Sequence, residues 1–166
     1  MTDHKLINQD SGDFEYYTPQ PIIEAAILTM GRIDLDPASS ETANYRIKAI
    51  RFYSIENDGL SLPWIGRIWM NHPFSRTGNP LWINKLVSEF ENGNIISSCN
   101  ITYASTSEQW FQPLLKHPQC FLSPRTNYLL PNGTLKRGVT KGSVVTYLGP
   151  DPQRFKKYFN HLGICK

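Results

Sequence analysis

One stretch of this sequence has residue types and spacing suited to chemistry: Trp69-Met70-Asn71-His72-Pro73-Phe74-Ser75-Arg76. The β-prone run Arg67-Ile68-Trp69-Met70 predicts a buried strand, which stops at an amide, a proline and an aromatic ring followed by polar residues. In open α/β sheets the carboxyl ends of the strands line the ligand crevice. An amide, a fixed backbone turn and a flat ring at such an end suit a planar, hydrogen-bonding substrate. A plain strand-ending turn with a packed Phe reads from the same residues.

Two further groups precede it. Gly31-Arg32-Ile33-Asp34-Leu35-Asp36-Pro37-Ala38-Ser39-Ser40 predicts a short strand with Asp34 and Asp36 on one side. Burying two carboxylates without partners costs several kcal/mol, so both are expected to face polar groups. A carboxylate at a strand end suits ribose hydroxyls or an ammonium group, whereas an Asp-Pro turn accounts for Asp36 alone. Earlier still, Phe14-Glu15-Tyr16-Tyr17-Thr18-Pro19-Gln20-Pro21 sets three aromatics against a Thr-Pro corner. Thr18 suits the N-cap of a helix with Pro19 at its first position, and Ile22, Ile23, Ala26, Ile27 and Met30 mark its apolar face up to Gly31.

The elements that would hold these groups follow in alternation. Residues 41–50 predict a helix with Ala43, Ile47 and Ile50 along one side, 51–54 a strand or loop, and Asn57-Asp58-Gly59-Leu60 a turn before the strand ending at Asn71. A helix over 81–91, a strand over 94–99, a capped amphipathic helix after Ser105-Thr106-Ser107-Glu108 and a strand over 119–122 come next. Residues 124–142 form a long loop carrying Arg125, Lys136, Arg137 and Lys141 with Tyr128, a surface suited to nucleic-acid phosphates or simply a solvated charged loop. A strand over 143–148 and a short closing helix end the chain. Such alternation predicts a three-layer α/β domain with a mostly parallel sheet, its last strand able to run antiparallel.

The totals bound this reading. A chain of 166 residues fits one domain, here 14–166 behind a polar lead at 1–13. Seventeen Lys and Arg against 14 Asp and Glu give +3, which permits an anionic partner without demanding one and is far from ribosomal or histone-like composition. Cys99, Cys120 and Cys165 form no close pair in sequence, and no Cys or His spacing suits zinc, so a reduced, cytoplasmic protein without a bound metal is expected. No export signal and no apolar run near the roughly 20 residues of a membrane span is visible.

Tyr17-Thr18-Pro19, Asp34-Leu35-Asp36-Pro37-Ala38-Ser39, Asn57-Asp58-Gly59-Leu60 and Trp69-Met70-Asn71-His72-Pro73-Phe74-Ser75 together resemble, in order and spacing, the phage-type (Dam-like) DNA N6-adenine methyltransferases. Ser107, Trp110, Phe111 and Pro124-Arg125 extend the likeness. The resemblance implies a compact Rossmann-like methyltransferase fold acting on DNA in a bacterial host cell, with S-adenosylmethionine as cofactor. It gives the catalytic turn to Asn71, His72, Pro73 and Phe74. Tyr17, Thr18, Pro19, Asp34, Asp36, Pro37 and Asp58 fall to the cofactor, with Asp36 at the strand end and Asp58 reading the cofactor's adenine amine. Ser75, Arg76, Arg125 and Tyr128 fall to the substrate.

Three departures stand out. His72 replaces the second residue of an Asn-Pro-Pro-Tyr pattern, removing a φ restraint and adding a titratable ring. The turn after Asp36 lacks a Gly-x-Gly. Only 35 residues separate Asp36 from Asn71, short for two βα units, which implies one truncated unit or a ribose-binding Asp36. A non-catalytic relative that binds nucleic acid or protein, and a methyltransferase for another planar amino or amide nitrogen, are the competing readings.

Overall fold

The computed structural model describes residues 16–136 and 139–166; the expectations for the polar lead, Phe14 and Arg137 fall outside them. The chain runs α1 (Gln20–Met30), β1 (Leu35–Asp36), α2 (Glu41–Ile47), β2 (Arg51–Phe52), β3 (Gly66–Met70), α3 (Gly78–Glu91), β4 (Ile95–Tyr103), β5 (Gln119–Leu122), β6 (Ser143–Leu148), α4 (Pro152–Phe159) and β7 (Gly163–Cys165). Short 3-10 helices at Gly59–Ser61 and Gln109–Lys116 lie between β2 and β3 and between β4 and β5.

One mixed sheet takes the strands in the order β2-β1-β3-β4-β6-β5-β7. The first four pair in parallel and the remaining pairings are antiparallel, so the mostly parallel character expected of the whole sheet holds for half of it. The reason lies in the connections. Parallel neighbours need a crossover of a dozen or more residues, and after β4 the chain returns through turns and an irregular loop instead. Between β1 and β3 only α2, the two-residue β2 and one 3-10 turn intervene, in line with the short spacing from Asp36 to Asn71.

Alternating side chains fill both faces of the sheet. Trp69, Cys99, Ile101, Val145 and Tyr147 join Ile22, Ile23 and Ala26 of α1 and Phe155 and Phe159 of α4 in one apolar cluster. Ile68, Met70, Val144 and Leu148 join Ile83 and Leu86 of α3 with Phe111 and Leu114 in the other. A buried aliphatic or aromatic side chain contributes about 1.5–3 kcal/mol, so these clusters fix the strand register.

Several local expectations shift. α1 starts at Gln20 with Pro19 as N-cap and no side-chain cap, because the Thr18 hydroxyl is engaged elsewhere. α2 stops at Ile47, where Lys48 turns left-handed at φ 58°. α3 begins at Gly78 and β4 runs on to Tyr103. The segment after Glu108 is a 3-10 helix, not α, and contains Pro113, which has no N–H for an α-helical ladder. β7 was not expected. It places Cys165 directly opposite Cys120 of β5, a pair that sequence separation conceals. Within the described residues no helix is long and apolar enough to cross a membrane.

Candidate functional site

A cavity of about 400 Å³ opens at the carboxyl ends of the parallel strands. Each of the four contributes a lining side chain at or just beyond its last residue: Ser54 after β2, Asp36 on β1, Asn71 after β3 and Tyr103 on β4. A parallel sheet produces this convergence because all its strands end at one edge.

Asn71 is held from behind. Its side-chain Nδ2 donates to the Tyr16 carbonyl at 3.2 Å and to the Thr18 hydroxyl at 3.1 Å. A carbonyl only accepts, so the amide nitrogen must face Tyr16, and Oδ1 is left as an acceptor on the cavity side with no protein partner among the described residues. Phe74, 4% exposed, lies 4.6 Å from the Tyr103 ring and 5.2 Å, edge to face, from His72. Pro73 also lines the cavity.

The strand-end acids divide. Asp36 is buried on the cavity wall, and its carboxylate accepts from the Ala38 amide at 3.1 Å, making the turn around Pro37. Asp34 does not line the cavity. Its carboxylate accepts from the Arg67 amide at 2.8 Å and from Arg32 Nε at 2.7 Å, with Arg67 Nη1 3.5 Å away. Burial raises the Asp34 pKa, but these hydrogen bonds and charges outweigh it and leave the carboxyl below its usual value. Both acids face polar groups as expected, but only Asp36 is placed to meet a ligand.

The Asp58-Gly59 turn also lines the cavity and packs directly against the Asp36-Pro37 turn. Trp64 Nε1 donates to the Gly59 carbonyl at 2.8 Å, and the Tyr53 amide donates to the Asp36 carbonyl at 2.9 Å. A Cβ at Gly59 would overlap the Pro37 carbonyl oxygen. Close backbone approach is therefore provided by the Asp58-Gly59-Leu60 turn, where the Asp36 turn has no glycines.

Tyr17, Thr18, Asp36, Pro37, Asp58, Asn71, Pro73, Phe74 and Tyr128 thus meet on one cavity, while Pro19, Asp34, His72, Ser75, Arg76 and Arg125 do not line it. Arg76 and Arg125 are exposed. Ser75 is buried, and its Oγ accepts from the Gly78 amide at 2.8 Å at the entry to α3. His72 is 1% exposed and does not line the cavity. Desolvation lowers its pKa to about 4 despite a hydrogen bond to Asn79, so the ring is neutral at pH 7.

Sequence reasoning missed Trp82, Tyr103 and Arg46 on the cavity wall. Trp82 and Arg46 lie on helices whose signals concern packing, and Tyr103 lies beyond the predicted end of its strand. Arg46 is the one cation among the described lining residues. The hairpin-like segment from Tyr128 covers one side: Tyr17 and Leu129 exchange main-chain hydrogen bonds of 2.7 and 2.8 Å. Lys136 and Lys141 lie over the rings of Tyr16 and Tyr103, 5.4 and 5.2 Å from the ring centroids.

The donor set can be tested against S-adenosylmethionine. Two carboxylates suit its ammonium, ribose hydroxyls and adenine amine, and one guanidinium suits its carboxylate. Tyr16, also on the wall, has a buried hydroxyl without a partner among the described residues. The residues fit the group. No curated protein sequence matches the chain. Residues 6–143 match the sequence model described as DNA N-6-adenine-methyltransferase (Dam), and with most of the chain covered, this protein belongs to that family.

Proposed function

We propose that the protein is a compact, three-layer Rossmann-like methyltransferase that transfers the methyl group of S-adenosylmethionine to the exocyclic N6 of adenine in DNA. The observation that carries this reading is the oriented Asn71 amide. Its nitrogen is spent on Tyr16 and Thr18, so Oδ1 is preset to accept a hydrogen bond from an amino group.

The target adenine must leave the base stack to reach a recessed cavity, and a pocket with an aromatic wall suits a flipped base. Phe74, braced by Tyr103 and His72, stacks on the base, a contact worth roughly 1–3 kcal/mol. Asn71 Oδ1 accepts from the N6 amine and holds its lone pair toward the methyl donor; a main-chain carbonyl of the following turn takes the other amino hydrogen. When bound, S-adenosylmethionine supplies an electrophilic methyl group. Asp36 holds its ammonium or ribose, Asp58 its adenine amine, Arg46 its carboxylate, and Tyr17 and Thr18 border its methionine end. Lys136 and Lys141 at the rim, with Arg76 and Arg125, meet DNA phosphates. Following the phage-type resemblance, the reaction takes place in a bacterial host cell.

Titration calorimetry with S-adenosylmethionine followed by methyl transfer to unmethylated DNA tests the reading. Asn71→Ala is expected to abolish transfer while leaving cofactor affinity nearly unchanged. Absence of cofactor binding by the wild-type chain would overturn the methyltransferase reading. Cofactor binding without transfer to DNA would overturn the choice of acceptor.

A further inference from the structure

His72 stands where the Asn-Pro-Pro-Tyr pattern has a ring-locked backbone. Its Nε2 lies 2.9 Å from Asn79 Oδ1, and the Ser75 amide donates to the same oxygen at 3.3 Å. Because the Ser75 N–H can only donate, the Asn79 atom facing it must be the oxygen, and an amide oxygen can only accept. Nε2 therefore carries the proton, and Nδ1, buried without a partner among the described residues, is bare. Asn79 itself is 9% exposed in the first turn of α3, and Ser75 Oγ accepts from the Gly78 amide in the reciprocal sense. These two bonds tie Ser75, two residues before the Thr77 N-cap, to the first residues of α3, and His72 joins them as a third member.

The same ring braces two cavity walls. It stacks on Trp82 with centroids 6.2 Å apart and planes 22° apart, and it meets Phe74 at 78°. We propose that His72 is a positioning residue: its hydrogen bond to Asn79 clamps the Asn71–Ser75 turn to the start of α3, taking over the restraint that a second proline would give. The clamp fixes where Asn71 Oδ1 and the Phe74 ring stand without touching the substrate. This rests on the methyl-transfer reading of Asn71 and Phe74.

Two variants at Asn79 separate the clamp from plain packing. Asn79→Leu fills similar space but cannot accept, and a turn displaced by about 1 Å is expected to cost on the order of a hundredfold in kcat with cofactor affinity unchanged. Asn79→Asp keeps an acceptor oxygen and is expected to restore kcat close to wild type. Unchanged kcat in Asn79→Leu, an equal loss of kcat and cofactor affinity, or an Asn79→Asp variant as impaired as Asn79→Leu would each overturn the clamp. Should Asn79→Leu fail to fold, nitrogen NMR of the wild-type imidazole at neutral pH decides: the neutral Nε2–H tautomer is expected, and an Nδ1–H tautomer or an imidazolium would overturn it. Wild-type protein that binds no cofactor or transfers no methyl would count against the functional reading, whereas the tautomer spectrum tests the clamp on its own.

Discussion

In the parallel half of the sheet, β2, β1, β3 and β4 all end at one edge, and Ser54, Asp36, Asn71 and Tyr103 converge there on a single cavity. In the antiparallel half, strand ends alternate between two edges and are closed by the chain itself. Gln119 and Lys166 exchange main-chain hydrogen bonds of 2.7 Å, and Tyr147 Oη accepts from the Asp151 amide at 3.1 Å. Phe155 stacks on Tyr147 and meets Phe159 at a tilt, and β6 is buried along its whole length. Buried apolar clusters span strands of both halves, so the difference is one of strand direction: parallel strands bring their ends to one side, where a ligand can use them.

Two glycines set the halves against each other most sharply. A Cβ at Gly59 would overlap the Pro37 carbonyl oxygen, and one at Gly163 would overlap the Phe121 carbonyl oxygen, so each substitution forces backbone apart at a cost of about 1–3 kcal/mol or more. Gly59→Ala is expected to push the Asp58 turn off the Asp36 turn and lower cofactor affinity about a hundredfold. Gly163→Ala should lower the unfolding temperature while the folded enzyme keeps its kcat and cofactor affinity. Comparable loss of cofactor binding in both variants would erase the division between a functional and a closing half.

A finer cut runs through the strand-end acids. Asp36→Asn retains an acceptor for the Ala38 amide but removes charge from the cavity wall, and cofactor affinity is expected to fall roughly 10–100-fold. Asp34→Asn breaks pairing with Arg32 and Arg67 away from the cavity; it should cost about 1–2 kcal/mol of stability and leave affinity unchanged. Calorimetry on both variants beside their urea unfolding curves checks the pair, and an affinity loss in Asp34→Asn would return that residue to the site.

The sequence made Asn71, Pro73, Phe74 and the Asp58-Gly59 turn legible because a strand end and a turn are local events with local residue signatures. It did not reveal which way Ser75 and His72 point, since a turn's facing is decided by α3, whose Asn79 and Trp82 approach it only after folding. Asp34 and Asp36 look equivalent by alternation and are separated only by the neighbouring β3, whose Arg67 amide claims one of them. β7 and the Cys120/Cys165 pairing were hidden for the same reason, a three-residue edge strand being defined by its partner.

The mildest perturbation needs no substitution at the cavity and is silent at neutral pH. With a folded pKa of about 4 against 6.5 for an unrestrained imidazole, His72 stays neutral in the fold while the unfolded chain takes up a proton between those values. The unfolded state therefore binds more protons in this window. The stabilisation is complete above pH 6.5 and is lost as pH falls toward 4, amounting to about 2 kcal/mol between pH 7 and pH 5 at 1.36 kcal/mol per unit. His117, also lowered chiefly by burial, acts in the same direction from a half-buried place beyond the cavity. His72→Phe keeps a ring against Trp82 and Phe74 but cannot titrate, so its unfolding free energy should fall much less on going from pH 7 to pH 5. An acid limb as steep in His72→Phe as in the wild type would place the sensitivity at His117 or the carboxylates, and the parallel half would lose its claim to the acid-labile group.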